Sequence, residues 1–531
     1  MKRLHRILLS VLTGVLLSAA WLGLPGWTLF FAFLPLLHLD KFFVDQKDRF
    51  KSVSFWGHTL LAFFIWNSIT TWWIFFATPV GMALAIIANS FLMSVVWWIA
   101  HVARRNFNGN LGYMALVVFW ITFEYFHYHW DIEWPWLNLG NGFANNIKLI
   151  QWYEFTGMLG GSLWVLVVNI LLFTSAVLYF QKAGIRKIIL PVAGLAITIL
   201  FPVILSLSIY FNYTETIDPK EVVVVQPNID PYSEKYDSAA EQQKLDQLLT
   251  LAREKTTAET DFIVAPETLF EDYRLWNEDQ LHANRFLPQL NAFAATTPSA
   301  GFVFGASSYR TYPDEKSAST TARKSNSFYY DVYNSAFYTD ASGKTDVYHK
   351  SILVVGVEKM PFKKALGFLG DMIINIGGTS GSLGIQDEPG IFTGTGGTKI
   401  APVICYESVF GEYVSKYVQK GAQLIFIITN DGWWRNTPGY RQHLSFARLR
   451  AIETRRSIAR SANTGISCFI NQRGDISQAT EWWVSAVIKG TLNANQAITF
   501  YVKHGDYLAR VALFMSIVLL ANLVVVKLKK R

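Results

Sequence analysis

Eight stretches of this chain approach the length a helix needs to cross a bilayer core, about 20 apolar residues. They run roughly over 7–24, 27–38, 54–76, 82–102, 112–126, 162–181, 188–211 and 508–526, and the second is short and holds Pro35. Runs of this kind must be hidden from water, so the chain reads as a polytopic α-helical membrane protein of about eight spans. One long polar stretch, 212–506, interrupts the series. Its strands, turns and dispersed charges predict a separate folded domain. Three segments result: a membrane domain over 1–211 with about seven transmembrane helices, an α/β domain over 212–506, and a last span with a basic tail over 507–531. Composition agrees, since only 16% of residues are charged and 51% are hydrophobic, which excludes a disordered chain. Two cysteines are too few for a disulfide scaffold.

Charge placement predicts the orientation, because cytoplasmic loops collect Lys and Arg. A cytoplasmic N-terminus puts sixteen Lys and Arg on the inner side, leaving Lys148 alone on the outer segments before residue 212. Residues 212–506 are then outside the cytoplasm. The net charge of +8 divides into +6 over 1–211, +5 over 507–531 and −3 over 212–506. The basic excess therefore orients the membrane segments, and nucleic acid is excluded as a partner. The first run is expected to remain as a span, since no A-x-A-like cleavage site follows it. The loop 127–161 has three Trp within 130–136. It reads either as an aromatic belt at the membrane surface or as a re-entrant or surface-lying segment lining a path from lipid.

Within 212–506, EVVVVQPNI (221–229) is a buried strand and residues 239–256 have helical spacing. DFIVAPETLF (261–270) is a strand broken by Pro266; GFVFGASSYR, SFYYDVYNSAFYTD and TDVYHKSILV follow, the last two joined by a turn at Asp340–Gly343. KIAPVICYES (399–408) and QLIFIITNDGWW are strands that each lead into a helix, the second over about 440–457, and SIARSANTGISCFINQRGDI closes as a hairpin. The alternation predicts a layered α/β domain.

Three of these strands end on a reactive side chain: Glu267 after FIVAP, Lys350 after VYH, and Cys405 after APVI. Sites in such domains gather on the loops that follow strands. A thiol nucleophile needs a base for its proton and a donor for the tetrahedral oxyanion. Carboxylate, ammonium and thiol supply those roles. Taken singly, each has a plain reading too: Cys405 as a small core residue, Glu267 as a capping or surface group, Lys350 as a solvated or paired charge. Other motifs carry little. No GxSxG elbow and no HExxH pattern occurs, so neither a metal nor a cofactor is expected. His127 and His129 sit at a membrane edge, GTGG (394–397) falls in a hairpin rather than between strand and helix, and Cys468 belongs to a strand core. A Cys405–Cys468 disulfide would abolish any thiol mechanism.

The flanking strings carry more. VAPETLF, Lys350 ahead of SILVVGVEKMPF, ICYESVFGE, and TNDGWW with RLRAIETRRSIARSANTG resemble the carbon–nitrogen hydrolase (nitrilase) superfamily. Set between seven spans and a final one, they resemble in particular its apolipoprotein N-acyltransferase branch, over essentially the whole chain. The resemblance implies an extracytoplasmic nitrilase-like αββα sandwich and a triad of Glu267 as general base, Lys350 as transition-state stabiliser and Cys405 as nucleophile. It implies Glu358 and Glu407 as acids supporting the triad, Tyr406 as the aromatic neighbour of the nucleophile with an N–H for the oxyanion, and Asn334 in VYNSA as a substrate-side amide. Tyr236 stands where the family commonly has Trp, at a lipid contact, and VEKMP replaces the usual GEFVP. The Gly-rich 363–398 reads as an apolar lid over the acyl site or as a surface-packed loop.

The activity so implied is acyl transfer in two steps. Cys405 takes an acyl chain from a phospholipid acyl donor as a thioester, and the amine of S-diacylglyceryl cysteine in a diacylglyceryl apolipoprotein acceptor receives it. A monomer is expected, multi-pass in the bacterial inner (plasma) membrane, with its catalytic domain on the periplasmic side. Two other readings stand beside this one. A membrane-tethered amidase or nitrilase would use the same triad with water as acceptor. A transporter or receptor would bury charges within the spans, where Glu124 is the main case.

Overall fold

The computed structural model describes residues 1–107, 109–232, 241–270, 275–297, 299–325, 327–362 and 382–529. Two compact units emerge, one of residues 1–75, 79–212 and 504–531, the other of 76–78 and 213–503.

In the first unit, seven helices among the described residues are long and apolar enough to cross a bilayer: Arg3–Leu22, Gly26–Asp45, Val53–Phe76, Pro79–Asn106, Met158–Phe180, Ile185–Asn212 and Tyr507–Leu528. An eighth apolar helix, Leu111–Phe126, has 16 residues and spans only about 24 Å at 1.5 Å per residue. Pro35 falls in the first turn of the helix Leu34–Asp45, where its missing N–H breaks no bond, so the second apolar run continues through it.

The Trp-rich loop is packed into the unit. It passes through short 3₁₀ turns at Pro135–Leu137, Leu139–Phe143 and Ile147–Leu149, and Trp136, Leu137, Leu139 and Phe143 are buried. Buried irregular backbone survives only where its polar groups find partners. Here Glu124 Oε1 accepts from the Leu139 N–H (2.8 Å) and Trp120 Nε1–H (2.9 Å), and Asn146 Oδ1 accepts from the Gly26 N–H (2.6 Å). Glu124 thus has a structural task. It is not the main buried charge, because Asp40 is also buried in this unit and is held by His101 and Arg104.

The second unit is built on two sheets. The strands are β1 (Pro219–Gln226), β2 (Phe262–Val264), β3 (Trp276–Asn277), β4 (Gly301–Tyr312), β5 (Arg323–Lys324), β6 (Tyr329–Thr339) and β7 (Thr345–His349), then β8 (Phe392–Thr393), β9 (Lys399–Ile404), β10 (Leu424–Thr429), β11 (Ile458–Ala462), β12 (Cys468–Ile470), β13 (Ile476–Ser477) and β14 (Ala486–Asn493). The first sheet runs β14-β1-β2-β4-β6-β5, with β3 on β4 and β7 on β6; the second runs β13-β12-β11-β10-β9-β8. Strands β1, β2 and β4 are parallel, as are β9, β10 and β11. Their continuous apolar runs fit burial on both faces. The sheets meet through Phe262 against Phe426 (5.2 Å between rings) and the Ser461 hydroxyl donating to the Val225 carbonyl (2.8 Å).

Helices Glu241–Lys255 and Leu287–Ala295 cover the first sheet, placing Leu245, Leu248, Leu290 and Phe293 in one core with Val223, Ile263 and Phe302. Helices Gly411–Gln419 and Pro438–Thr454 contact the second sheet. The result is an αββα sandwich. The β6–β7 turn falls at Asp340–Gly343, with the Gly343 N–H donating to the Asp340 carbonyl, and GTGG lies in the β8–β9 hairpin.

Candidate active site

Glu267, Lys350 and Cys405 come together although they arrive from two different sheets. Pro266 stops β2 from continuing, and the chain turns past Glu267 into Thr268 at φ +43°. This turn lies directly on β4: a Cβ at Gly305 would sit 2.6 Å from the Glu267 Cα and the Thr268 nitrogen. Only a residue without a side chain allows that approach. Lys350 follows β7, and its N–H donates to the Asn334 carbonyl on β6 (2.9 Å). Cys405 follows β9 at φ +48°, a left-handed conformation that costs a non-glycine residue about 1–3 kcal/mol and collects at functional sites. It opens a 3₁₀ turn over Cys405–Val409.

Four polar groups form a buried square. The Lys350 ammonium donates to Glu267 Oε1 (3.2 Å) and to Glu358 Oε1 (2.9 Å). Asn334 Nδ2 donates to the same two oxygens, at 2.7 and 2.9 Å. The outer oxygens are held by backbone: the Asn430 N–H donates to Glu267 Oε2 (3.1 Å) and the Val354 N–H to Glu358 Oε2 (2.7 Å). Glu267, Asn334 and Lys350 are buried and Glu358 is half-buried.

Electrostatics follow from that placement. Burial alone lowers the Lys350 pKa, but Glu267, Glu358 and Cys405 outweigh it and hold the ammonium above its ordinary value. Burial, then the charges of Glu267 and Asp431, push the Cys405 thiol well above its usual range, with Lys350 pulling the other way. Cys405 is therefore a protonated thiol beside a charged ammonium, an arrangement that suits loss of its proton to a base as a thiol attacks.

Glu407 is fully buried and ties the two strand ends together. Its Oε1 accepts from the Ser351 N–H (2.7 Å) and the Tyr348 hydroxyl (2.6 Å); its Oε2 accepts from the Ile404 N–H (2.9 Å) and the Tyr417 hydroxyl (3.2 Å). It thereby links the neighbour of Lys350 to the neighbour of Cys405. Burial pushes its carboxyl up to about 7, although four donors face it. Tyr406 is buried, its ring edge-on to Phe410 at 5.2 Å. Cys405 and Cys468 are free thiols, so no disulfide joins them, and burial pushes Cys468 up to about 11. Tyr236 and residues 363–381 of the expected lid lie outside the described residues. Among the described residues no group of three or more His, Cys, Asp or Glu is placed to hold a metal ion.

A second polar cluster, which sequence periodicity does not predict, lies behind Cys405. His443 Nδ1–H donates to Asp431 Oδ1 (2.9 Å), and Nε2 lies 3.2 Å from the Cys405 carbonyl oxygen and 3.0 Å from the Ser408 hydroxyl. The Ser408 hydroxyl donates to the same carbonyl (2.7 Å). Asp431 also accepts from the Thr429 hydroxyl (2.7 Å) and pairs with Arg460. Burial alone raises the Asp431 pKa, yet His443 and Arg460 outweigh it and hold the carboxyl down to about 2. One signal was present: Arg460 stands in the middle of IARSA, a strand otherwise fit for a core, and a buried guanidinium requires a partner.

Several known proteins are similar to this chain. A family model described as "Carbon-nitrogen hydrolase" matches residues 221–500, and one described as "Apolipoprotein N-acyltransferase N-terminal domain" matches 13–171. The apolipoprotein N-acyltransferase of Chlorobaculum tepidum is 28% identical, covering 96% of this chain and 95% of that protein. That of Geobacter metallireducens is 27% identical, covering 94% and 92%. Among solved structures, Saccharomyces cerevisiae Nit3, a member of branch 10 of the nitrilase superfamily, is 15% identical with a TM-score of 0.38, covering 53% of this chain and 93% of that one.

Proposed function

Since the chain belongs to the carbon–nitrogen hydrolase family, we propose that it is an acyltransferase whose triad is Glu267, Lys350 and Cys405. It moves an acyl chain from a membrane phospholipid to the N-terminal amine of S-diacylglyceryl cysteine in apolipoproteins. The observation that carries this reading is the buried Lys350 ammonium set between Glu267 and Glu358, acting on the thiol at the end of β9. Relatives similar over nearly the whole chain are named apolipoprotein N-acyltransferases, so water as acceptor is not favoured.

Each step balances on these residues. Glu267 takes the Cys405 thiol proton as sulfur attacks the ester carbonyl of the phospholipid. Lys350 and the Tyr406 N–H hold the oxyanion. Collapse breaks the ester C–O bond, Glu267 returns the proton to the leaving oxygen, and a lysophospholipid departs from a Cys405 thioester. The acceptor amine then attacks the thioester, Glu267 takes its proton and returns it to the departing Cys405 sulfur. Asn334 and Glu358 keep Glu267 and Lys350 in register, Glu407 keeps the strand ends together, and Tyr236 is a lipid contact. The charge asymmetry along the sequence supports an inner-membrane location with the catalytic unit on the periplasmic side. One chain carries the whole triad, which supports a monomer.

The test is mass spectrometry of the protein incubated with phospholipid alone. Wild type gains one hydroxylamine-sensitive acyl group at Cys405, and Cys405→Ala folds normally, gains none and is inactive in N-acylation. No adduct on wild type, or an unchanged one on the alanine variant, removes the mechanism.

A further inference from the structure

Strands β9, β10 and β11 are parallel neighbours and end on one side of the second sheet. Cys405 follows the first, Asn430 the second and Asn463 the third. Crevices beyond the carboxyl ends of parallel strands are where α/β sheets bind ligands. One such cleft, of about 500 Å³, is lined by Asp230, Tyr232, Arg435, Asn436, Trp482 and Trp483. None of these residues belongs to the triad, yet hydrogen bonds tie the cleft to it.

Asn463 Nδ2 donates to the Ile229 carbonyl (2.7 Å) and its Oδ1 accepts from the Ile229 N–H (3.0 Å), which anchors the residue before Asp230. The same Nδ2 reaches Asn430 Oδ1 (3.3 Å), and Asn430 in turn donates its N–H to Glu267. The Trp483 N–H donates to the carbonyl of Thr464, the residue after Asn463 (2.7 Å). Next to Arg435 in sequence, Trp434 packs edge-on to His443 at 5.6 Å, and His443 Nε2 lies 3.2 Å from the Cys405 carbonyl oxygen. The cleft is therefore tied to the triad through Asn463, Asn430 and Glu267.

Its chemistry is that of a lipid phosphate rather than of an acyl chain. Arg435 is exposed at φ +51°, its guanidinium 5.1 Å from the centre of the Tyr232 ring. The Tyr232 hydroxyl donates to the Trp433 carbonyl (2.7 Å) and accepts from Arg435, and Asn436 Oδ1 accepts from the Tyr440 hydroxyl (3.1 Å), so the remaining guanidinium N–H groups and the Asn436 NH2 are the donors offered to a ligand. A guanidinium matches two phosphate oxygens at once. Trp482 stacks on Tyr440 at 3.9 Å, while Trp483 and Tyr232 are 37% and 40% exposed. Half-exposed Trp and Tyr rings suit the headgroup level of a bilayer. Asp230 in the same cleft opposes a dianion, which favours a singly charged phosphodiester over a phosphomonoester.

We propose that this cleft is the phosphodiester subsite for the acyl donor, with Arg435 and Asn436 on the phosphate oxygens and Trp482 and Trp483 against the glycerol. The proposal rests on the acyl-transfer reading above. Full-length protein in detergent tests it by following Cys405 thioester formation from two donors: a phospholipid, and a p-nitrophenyl ester of the same acyl chain, which lacks phosphate. Arg435→Gln raises the phospholipid concentration at half-maximal rate about tenfold or more, the worth of one charge-assisted hydrogen bond. It leaves the p-nitrophenyl ester rate and the transfer of a preformed thioester to a diacylglyceryl peptide unchanged. Arg435→Lys, which keeps the charge without the fork, falls between. Equal loss with both donors, loss with neither, or loss confined to the transfer step overturns the subsite. A wild type acylated by the p-nitrophenyl ester but not by phospholipid also overturns it. A wild type acylated by neither donor removes the acyl-transfer reading itself, and the subsite with it.

Discussion

Replacing Asp431 with Asn tests whether the polar cluster behind the nucleophile positions it. In the native protein one carboxylate collects the Thr429 hydroxyl, the His443 Nδ1–H and the Arg460 guanidinium. Its carboxyl is held at about 2 against an ordinary value of 3.8, which corresponds to roughly 2 kcal/mol of stability. Because the folded value is depressed, that stabilisation is present above pH 4 and is lost as pH falls towards 2. Asparagine removes the charge at every pH and turns an NH2 towards a buried guanidinium or the imidazole N–H. Breaking a buried pair from one side costs about 3–5 kcal/mol. Arg460 also donates to the Ile466 carbonyl, so the lower part of that range is expected. Detergent-solubilised Asp431→Asn therefore melts well below wild type near neutral pH, and the gap narrows as the pH is taken towards 3. At temperatures where both are folded, thioester formation from phospholipid slows at saturating donor while the donor concentration at half-maximal rate stays close to wild type. That split is expected because His443 faces the Cys405 carbonyl rather than the substrate. An Asn variant that melts with wild type, or that is folded and acylates at the wild-type rate, refutes the positioning argument.

Two further outcomes follow from single distances and one titration. Gly305→Ala places a methyl 2.6 Å from the Glu267 backbone, so the base must shift; an ångström-scale displacement of a reacting group costs up to about a hundredfold in rate. A wild-type acylation rate in that variant would show that the Glu267 turn has room to spare. Glu407 titrates in the folded protein at about 7 against 4.5 when unfolded. A raised carboxyl contributes stability at low pH that is lost as pH rises through 7, about 3 kcal/mol in all. Melting temperature against pH between 5 and 8 should fall in wild type and flatten in Glu407→Gln, and parallel curves would mean that another group titrates there.

The membrane unit was legible because its signal is length: a run near 20 apolar residues admits few structures, and Pro35 did not break the second one because it lies in the first turn of a helix. The loop 127–161 was legible only as two alternatives. Its burial depends on Glu124 and Asn146 finding backbone donors at Leu139 and Gly26, and no local pattern encodes those pairings. The triad shows the same division. Glu267, Lys350 and Cys405 stood out because each follows the end of a strand, where a side chain leaves the sheet. What the strand ends do not reveal is that Glu267 and Lys350 come from one sheet and Cys405 from the other. A nucleophile and base on separate sheets must be held in register by groups that bond to both, and Glu407 does this through Ser351 and Ile404. It is a single acid two residues after the cysteine, indistinguishable by pattern from a surface charge. Asp431 and His443 are hidden for the same reason, since each is ordinary in its own segment, and only Arg460, inside the core strand IARSA, signals that a buried partner exists. The chemistry of this site is thus written at strand ends, where sequence periodicity breaks. Its precision resides in long-range hydrogen bonds between segments that periodicity treats as independent.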